Sequence, residues 1–357
     1  MSLFARTASA LAALLALAAS PVSAPGRDDP SSPQAPSAAP AVTEGATPSR
    51  PLRDLPTEGE LRELLPLFET PATRAGEPFT WRLERTRETD AYVRYELTFP
   101  SPFASGNARN DVVHARYFAP HGAGPHPAAV VLHWLGGSLA ALELVCANLA
   151  QNGVGALMIY MPHYGPRRTP EGRRELMTVD GTAGLDVFRQ AVLDVRRAGD
   201  WLAGRPEVDP ERVGILGISL GAIVGTLTAG IDPSFARIAL LIGGGDLAAI
   251  ALNGARELRN LRREIDESGL TYEQLRALWR PIEPLTYASR IDPAKVLMIN
   301  ADEDEIFPRR SIEGLRDAIG LAEIQWFPGG HYDILKRMLV VIPRSALHLR
   351  GEAAAPK

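Results

Sequence analysis

Residues 212–225 read Arg-Val-Gly-Ile-Leu-Gly-Ile-Ser-Leu-Gly-Ala-Ile-Val-Gly, with Ser219 at the centre of the motif Gly217-Ile218-Ser219-Leu220-Gly221. The run before the serine is short and apolar, the mark of a strand buried on both faces. The run after it carries Gly221, Ala222, Gly225 and Ala229, small residues that let a helix lie close to its neighbours. A strand that turns into a helix at a single residue holds that residue in a strained backbone conformation, and glycine on either side removes the side-chain clash. Such a turn lifts the serine hydroxyl clear of the sheet. It also sets the serine at the positive end of the helix dipole, which favours an incoming oxyanion. The spacing alone is a weak signal. Its strand-to-helix context favours a nucleophile over a glycine-rich strand end with a buried serine.

Working outward, the chain alternates strand and helix. Ala128–Leu132, Val154–Tyr160, Val213–Ile218, Ile238–Ile242, Val296–Asn300 and Glu323–Phe327 read as buried strands. Between them lie helical patterns such as Leu139, Leu142, Cys146 and Leu149, which Ser138 can cap and Gly153 ends, and Leu185–Leu202. Upstream, Val93, Tyr95, Leu97 and Phe99 alternate with polar neighbours, and Val113–Phe118 reads as another strand. The sum is an α/β fold: a mostly parallel central sheet with helices on both faces and antiparallel strands at one edge. A final helix begins near Tyr332. One stretch breaks the alternation. Residues 246–287 hold two helical patterns and no strand, between two core strands. We read it as a cap-like insertion over the site, against a plain surface excursion.

A serine hydroxyl needs a base. His331, in Phe327-Pro-Gly-Gly-His331, follows the last strand at the sheet end that carries Ser219. His133 ends an earlier strand, His163 lies in a loop, and His114 falls inside an edge strand. The base needs a carboxylate to fix its tautomer. Asp304 is the first choice, with Asp302 and Asp246 as runners-up and the remaining acids expected to face solvent. The order Ser219, Asp304, His331 places each group after a strand, at one end of the sheet. Backbone donors for an oxyanion are expected from Leu220 and from the turn His133-Trp134-Leu135-Gly136-Gly137, with Leu135 preferred and Trp134 next.

With these residues in place, the chain resembles the α/β-hydrolase superfamily, and within it the dienelactone hydrolase and acetyl xylan esterase-like branch. The resemblance covers roughly residues 111–341 and includes Pro206-Glu-Val-Asp-Pro-Glu-Arg-Val213. It implies a metal-free hydrolase of esters or related acyl bonds, with no cofactor and a small-molecule ester as substrate. Two departures stand out. Trp134 follows the histidine where many relatives have glycine, and the nucleophile is serine where dienelactone hydrolases proper use cysteine. The rival readings are a peptidase of the same fold and a non-catalytic binding protein of the same fold.

The loop Tyr160-Met-Pro-His163-Tyr164-Gly-Pro-Arg167-Arg168 also follows a core strand. Loops there face the ligand in open α/β sheets. His133, Tyr160, His163 and Tyr164 are therefore expected to line the pocket, with Arg167 meeting an anionic substrate group. The alternative is that the aromatics pack and the arginines are solvated.

At the amino terminus, Arg6, the apolar run Ala8–Ala19 and Val22-Ser23-Ala24 have the three-part pattern of a signal peptide, residues 1–24. The rival reading is an uncleaved amphipathic start, and Ala16-Leu17-Ala18 is a second candidate cleavage region. This predicts an exported protein, periplasmic or secreted, with no membrane span once processed. Residues 25–56 are rich in Pro, Ala and Ser and are expected to form a flexible linker. The catalytic domain is then expected over 57–350, with Thr57 and Glu60 at capping-box spacing. Of 357 residues 45% are hydrophobic, which suits one large domain. The net charge of −4 and the lack of a basic run argue against nucleic acid as a partner. The single cysteine, Cys146, forms no internal disulfide and reads as a core residue.

Overall fold

In the computed structural model, which describes residues 41–136, 139–168, 178–253 and 255–352, ten strands form one mixed sheet. They are β1 (Val42–Pro48), β2 (Pro78–Glu88), β3 (Tyr92–Pro100), β4 (Val112–Pro120), β5 (His126–Leu132), β6 (Gly155–Ile159), β7 (Val208–Ile218), β8 (Ile238–Leu241), β9 (Val296–Ala301) and β10 (Gln325–Phe327). Their order is β1-β2-β3-β4-β6-β5-β7-β8-β9-β10. Pairing is antiparallel from β1 to β6 and parallel from β6 through β5 to β10. The parallel strands are buried on both faces, as their unbroken apolar runs require.

The longer helices are α1 (Leu139–Gln151), α2 (Gly181–Ala203), α3 (Leu220–Ile231), α4 (Leu247–Leu252), α5 (Arg259–Ser268), α6 (Tyr272–Leu278), α7 (Arg309–Ile319) and α8 (Met338–Arg350). Two apolar clusters, one on each face of the sheet, make up the core. Every residue of α3 is buried. Its glycines explain how it comes so near the sheet: a Cβ on Gly225 would lie 3.0 Å from Ile215 Cγ2. Val224 and Leu227 on α3 are fully buried, and each contributes roughly 1.5–3 kcal/mol by leaving water. Cys146 is likewise buried in α1.

The helix α2 is unusual in burying charge. Asp194, Arg196, Arg197 and Asp200 are all buried beside Val195, Ala198 and Trp201. The amino-terminal segment covers Arg196 and Asp200, whereas Asp194 meets Ser101 and Arg167, and Arg197 donates to the Pro100 carbonyl. Arg196 pairs with Asp232 at 2.8 Å and donates to the Phe68 and Arg50 carbonyls, while Asp200 accepts the Arg50 backbone N–H at 3.0 Å.

That cover corrects the expected domain boundary. The signal-peptide reading and residues 25–40 of the linker fall outside the described residues, but residues 42–56 belong to the fold. The strand β1 pairs along its length with β2, from Val42 opposite Glu84 to Pro48 opposite Pro78. Gly45 lies against the Trp81 ring, and Trp81 Nε1 donates to Thr47 Oγ1 at 3.0 Å. Leu52 is buried in the core and its N–H donates to Glu69 at 2.8 Å. An edge strand holds on by backbone hydrogen bonds, so it needs few large apolar residues, and composition alone reads it as a linker. The Thr57–Glu60 capping box does not form. The helix there spans only Leu61–Leu64 and has no side-chain cap, and Glu60 instead pairs with Arg280. The Ser138 cap lies outside the described residues. The final helix α8 starts at Met338, later than expected, because His331–Arg337 forms a tighter 3₁₀ segment first.

A chain beginning at residue 41 should keep full thermal stability, whereas one beginning at Thr57 should melt many degrees lower. The second loses the β1 ladder and uncovers Arg196 and Asp200. Equal melting temperatures by circular dichroism would restore residues 42–56 to the linker.

Candidate active site

The turn at Ser219 is set by strand and helix together. Ser219 has φ +54° and ψ −112°, a conformation that neither β7 nor α3 supplies. Its N–H donates to the Leu241 carbonyl at 2.9 Å, which keeps it in the sheet, and its carbonyl accepts from Ala222 at 2.8 Å, which starts the helix. A Cβ on Gly217 would stand 2.5 Å from the Gly221 carbonyl carbon, and one on Gly221 would stand 2.7 Å from the Leu132 carbonyl carbon. No side chain fits at either place.

Ser219 Oγ lies 2.9 Å from His331 Nε2, and His331 Nδ1 lies 2.8 Å from Asp304 Oδ2. Asp304 Oδ1 accepts the N–H groups of Ile306 and Phe307 at 2.9 and 2.8 Å. A carboxylate at Nδ1 fixes the proton there, which leaves Nε2 free to accept from the serine hydroxyl. Ser219 is 7% and His331 3% exposed, so these groups work away from bulk water. Phe307 stacks on the His331 ring at 5.5 Å and 9° and blocks its rotation.

The neighbouring acids Asp302, Glu303 and Glu305 are exposed to solvent, as expected, and two of them also accept hydrogen bonds from the base loop. Asp302 accepts the Gly329 N–H at 2.9 Å, Glu305 accepts the His331 N–H at 2.7 Å, and Asp333 accepts the Gly330 N–H at 2.9 Å. Together they clamp the Gly-rich loop that presents His331. The other runner-up, Asp246, caps α4 through the Ala249 N–H and accepts the Tyr272 hydroxyl at 2.7 Å, with no contact to His331.

Above Ser219 is a cavity of about 340 Å³. Ile218, Ile223 and Ile242 wall it from the sheet and α3, and Ile250, Leu258 and Leu261 wall it from the 246–287 stretch. That stretch therefore contributes to the cavity, as a cap should. Sequence reasoning missed Glu257 and Tyr332, which meet across the cavity with the Tyr332 hydroxyl donating to Glu257 at 2.6 Å. Burial, and next the hydrogen bond to Glu257, raise the Tyr332 phenol above its ordinary pKa, so it stays a donor. Tyr332 is adjacent to His331 and was open to inference; nothing in sequence marks Glu257 within its helical stretch.

Leu220, Trp134 and Leu135 all line the cavity. Leu220 is the first residue of α3, so its N–H has no partner within the helix. Held between two partners, His133 is buried: Met161 N–H donates to Nε2 at 3.3 Å, so the ring proton is on Nδ1, 3.0 Å from the Trp134 carbonyl. In a planar trans peptide the carbonyl and the next N–H point in opposite directions. Fixing the Trp134 carbonyl toward His133 therefore turns the Leu135 N–H the other way.

The expected substrate loop is a correction. His133, Tyr160, His163, Tyr164 and Arg167 are all buried, and none of the five lines the cavity. The Tyr164 ring rests on His133, Tyr160 lies beneath the Arg116 guanidinium, and the His163 N–H donates to Asn110. Arg167 is 0% exposed and is neither solvated nor open to a substrate. It bonds Asp194 at 2.8 Å and the carbonyls of Asn110 and Tyr160. A cation that donates four hydrogen bonds to three oxygens in the interior is a structural clamp. Burial pushes the Asp194 carboxyl up, and Arg167 pulls against it. Sequence placed this loop at the correct end of the sheet, but the position of a strand end does not say which way the side chains turn.

Among the described residues, no group of three or more His, Cys, Asp or Glu is placed to hold a metal ion, and no helix is long and apolar enough to cross a membrane. A family model described as the dienelactone hydrolase family matches residues 113–332. An uncharacterized protein of Mycobacterium tuberculosis, in strains CDC 1551 and H37Rv, is 28% identical over 214 residues. The match covers 57% of this chain and 49% of that protein, about half its length. Among solved structures, acetyl xylan esterase 1 from Thermoanaerobacterium sp. JW/SL YS485 aligns with TM-score 0.59 at 18% identity, over 84% of this chain and 96% of its own. An acetyl xylan esterase from Paenibacillus sp. R4 aligns with TM-score 0.58 at 18% identity, over 82% and 96%. At such identity these two likenesses speak for the fold.

Replacing Arg167 by alanine strands Asp194 in the interior and should cost about 3–5 kcal/mol. The expected result is a large drop in melting temperature, with the remaining folded protein treating all substrates alike. A substrate-dependent change in kcat/KM at unchanged melting temperature would return Arg167 to the pocket.

Proposed function

The chain belongs to the dienelactone hydrolase family, and from that premise we propose that it is a serine hydrolase that cleaves carboxylic esters through an acyl-enzyme on Ser219. The observation that carries this reading is the hydrogen-bonded chain Ser219–His331–Asp304, with links of 2.9 and 2.8 Å. In this reading Ser219 Oγ attacks the ester carbonyl carbon while its proton moves to His331 Nε2. Asp304 stabilises the imidazolium without itself taking the proton. The negative charge on the carbonyl oxygen is met by the N–H of Leu220 and that of Leu135. One such donor typically lowers the barrier by about 3–4 kcal/mol. Collapse of the intermediate expels the alkoxide, which takes the proton back from Nε2 and leaves as alcohol. Water then attacks the acyl-enzyme, again giving a proton to His331, and the acid departs as Ser219 is restored. The proposal includes export, for which the support is the apolar Ala8–Ala19 run behind Arg6.

A fluorophosphonate probe should label the wild type and not Ser219→Ala. Asp304→Asn should lower kcat about 10³–10⁴-fold, because the wrong tautomer of His331 results. Asp246→Asn should leave kcat within a few-fold in the folded protein. Full turnover by a folded Ser219→Ala would sink the reading, and a crippled Asp246→Asn beside an active Asp304→Asn would move the acid.

The role of His133 is testable separately. If it orients the Leu135 N–H, His133→Ala should lower kcat on the order of 10²-fold with KM nearly unchanged. His133→Asn, which can still donate to the Trp134 carbonyl, should recover part of the loss. A rise in KM with kcat intact would make His133 a substrate contact after all.

A further inference from the structure

We propose that the substrate of this site is an uncharged ester with an apolar acyl chain of several carbons, and that Glu257 helps to exclude carboxylate-bearing esters. This rests on the serine-esterase reading and goes one step further, to what the cavity accepts. The walls above Ser219 are branched aliphatic side chains from independent parts of the fold: Ile218 and Ile223 flank the serine turn, Ile242 and Ile250 follow β8, and Leu258 and Leu261 come from the cap-like stretch. An aliphatic chain in contact with them gains the transfer free energy of each methylene it buries. A short acetyl group leaves most of a cavity of about 340 Å³ unused.

The charged side chain in this wall, apart from the Ser219–His331–Asp304 group, is Glu257, held by the Tyr332 hydroxyl at 2.6 Å. Among the described lining residues there is no Lys or Arg, and Arg167 is committed to Asp194. Glu257 is exposed at the mouth of the cavity, with Arg256 near enough to act on Tyr332, so a carboxylate drawn past it into the aliphatic interior would meet the like charge of Glu257, lose water and find no Lys or Arg among the described lining residues. Acylated sugars, with many polar groups, would find few side-chain partners here beyond Glu257, Asn260 and Tyr332 at the outer wall.

The test compares p-nitrophenyl pentanoate with p-nitrophenyl hydrogen glutarate, which differ only at the chain end, methyl against carboxylate, with p-nitrophenyl acetate as a third substrate. Release of nitrophenol is followed at neutral pH with the wild type, Ser219→Ala and Glu257→Gln. The wild type should favour pentanoate over glutarate by on the order of 100-fold in kcat/KM, as an unpaired buried charge requires. It should favour pentanoate over acetate by at least about tenfold, from three added methylenes. Glu257→Gln keeps an acceptor for Tyr332 and should narrow the pentanoate-to-glutarate ratio several-fold. Ser219-dependent turnover that is as fast on glutarate as on pentanoate, or fastest on acetate, overturns the inference while leaving the esterase reading intact. An unchanged ratio in Glu257→Gln removes Glu257 from the selection. Loss of Ser219 dependence on all three esters overturns the esterase reading and this inference with it.

Discussion

The contact between Gly221 and the carbonyl of Leu132 sets the spacing on which the site depends. A Cβ at Gly221 would press on that carbonyl, so the absence of a side chain is what lets the start of α3 close on the end of β5. Leu132 is followed directly by His133, Trp134 and Leu135. The same approach that permits the serine turn therefore fixes how far the Leu220 and Leu135 amides stand from each other and from Ser219. A larger residue at Gly221 would strain the turn and also open the gap between the two amides. The strain at Ser219 is sustained because β7, β8 and α3 are packed around it with no room to relax.

Strain gathers at this end of the molecule. The positive-φ residues other than glycine are Asp54, His163, Ser219, Ile242 and Asp246 among the described residues. Four of the five lie in loops that leave β6, β7 or β8. For Ile242, a β-branched residue at φ +46°, the conformation is costly, and it places that side chain in the cavity wall. The histidine beside Ser219 is held differently. His331 comes from a loop containing three glycine or proline residues, Pro328-Gly329-Gly330, which has little stiffness of its own. Its rigidity is supplied from outside, by Asp302, Glu305 and Asp333 taking successive backbone N–H groups and by Phe307 lying flat on the ring. Of the carboxylates crowded here, Asp304 orients the imidazole and the others immobilise its support.

What could be read in the sequence follows from range. The strand-to-helix turn at Ser219, the alternation of apolar strands with helices, and the order Ser219, Asp304, His331 are local patterns, and the structure brings those three side chains together as expected. The choice of Asp304 over Asp302 and Asp246 rested on chain direction, and geometry agrees with it. The readings that failed were about partners distant in sequence. Arg167 looked like an anion receptor because its loop follows a core strand at the end of the sheet where ligands bind, whereas its partner Asp194 lies 27 residues away on α2. Further along α2, Arg196 and Asp200 are roofed by Arg50, from the stretch whose Pro-rich composition suggested a linker, and by the Phe68 carbonyl. In both cases the deciding partner is remote in sequence: Arg167 and Asp194 are buried with Ser101 and Asn110, and Arg196 and Asp200 with Arg50.

That roof also separates what the fold conserves from what it leaves free. The sheet, α2 and α3 form a floor in which both clusters of apolar side chains and the buried ion pairs resist change. The cavity is built differently. Its floor comes from strand ends and its walls from 250–261, a stretch anchored by few points such as Tyr332 to Glu257 and Asn253 to the Glu305 carbonyl. Ile250 and Leu261 of this wall are themselves buried in the core, whereas Glu257 and Asn260 are exposed, so the outer part of the wall is where side chains can change with little cost to the fold. Under the proposed reading the reacting groups sit on the floor and selection among substrates is adjusted at that outer wall. The likeness to acetyl xylan esterases at 18% identity therefore speaks for the fold alone, and the shape of the proposed ester has to be argued from the isoleucines, the leucines and the Glu257 carboxylate that line the cavity.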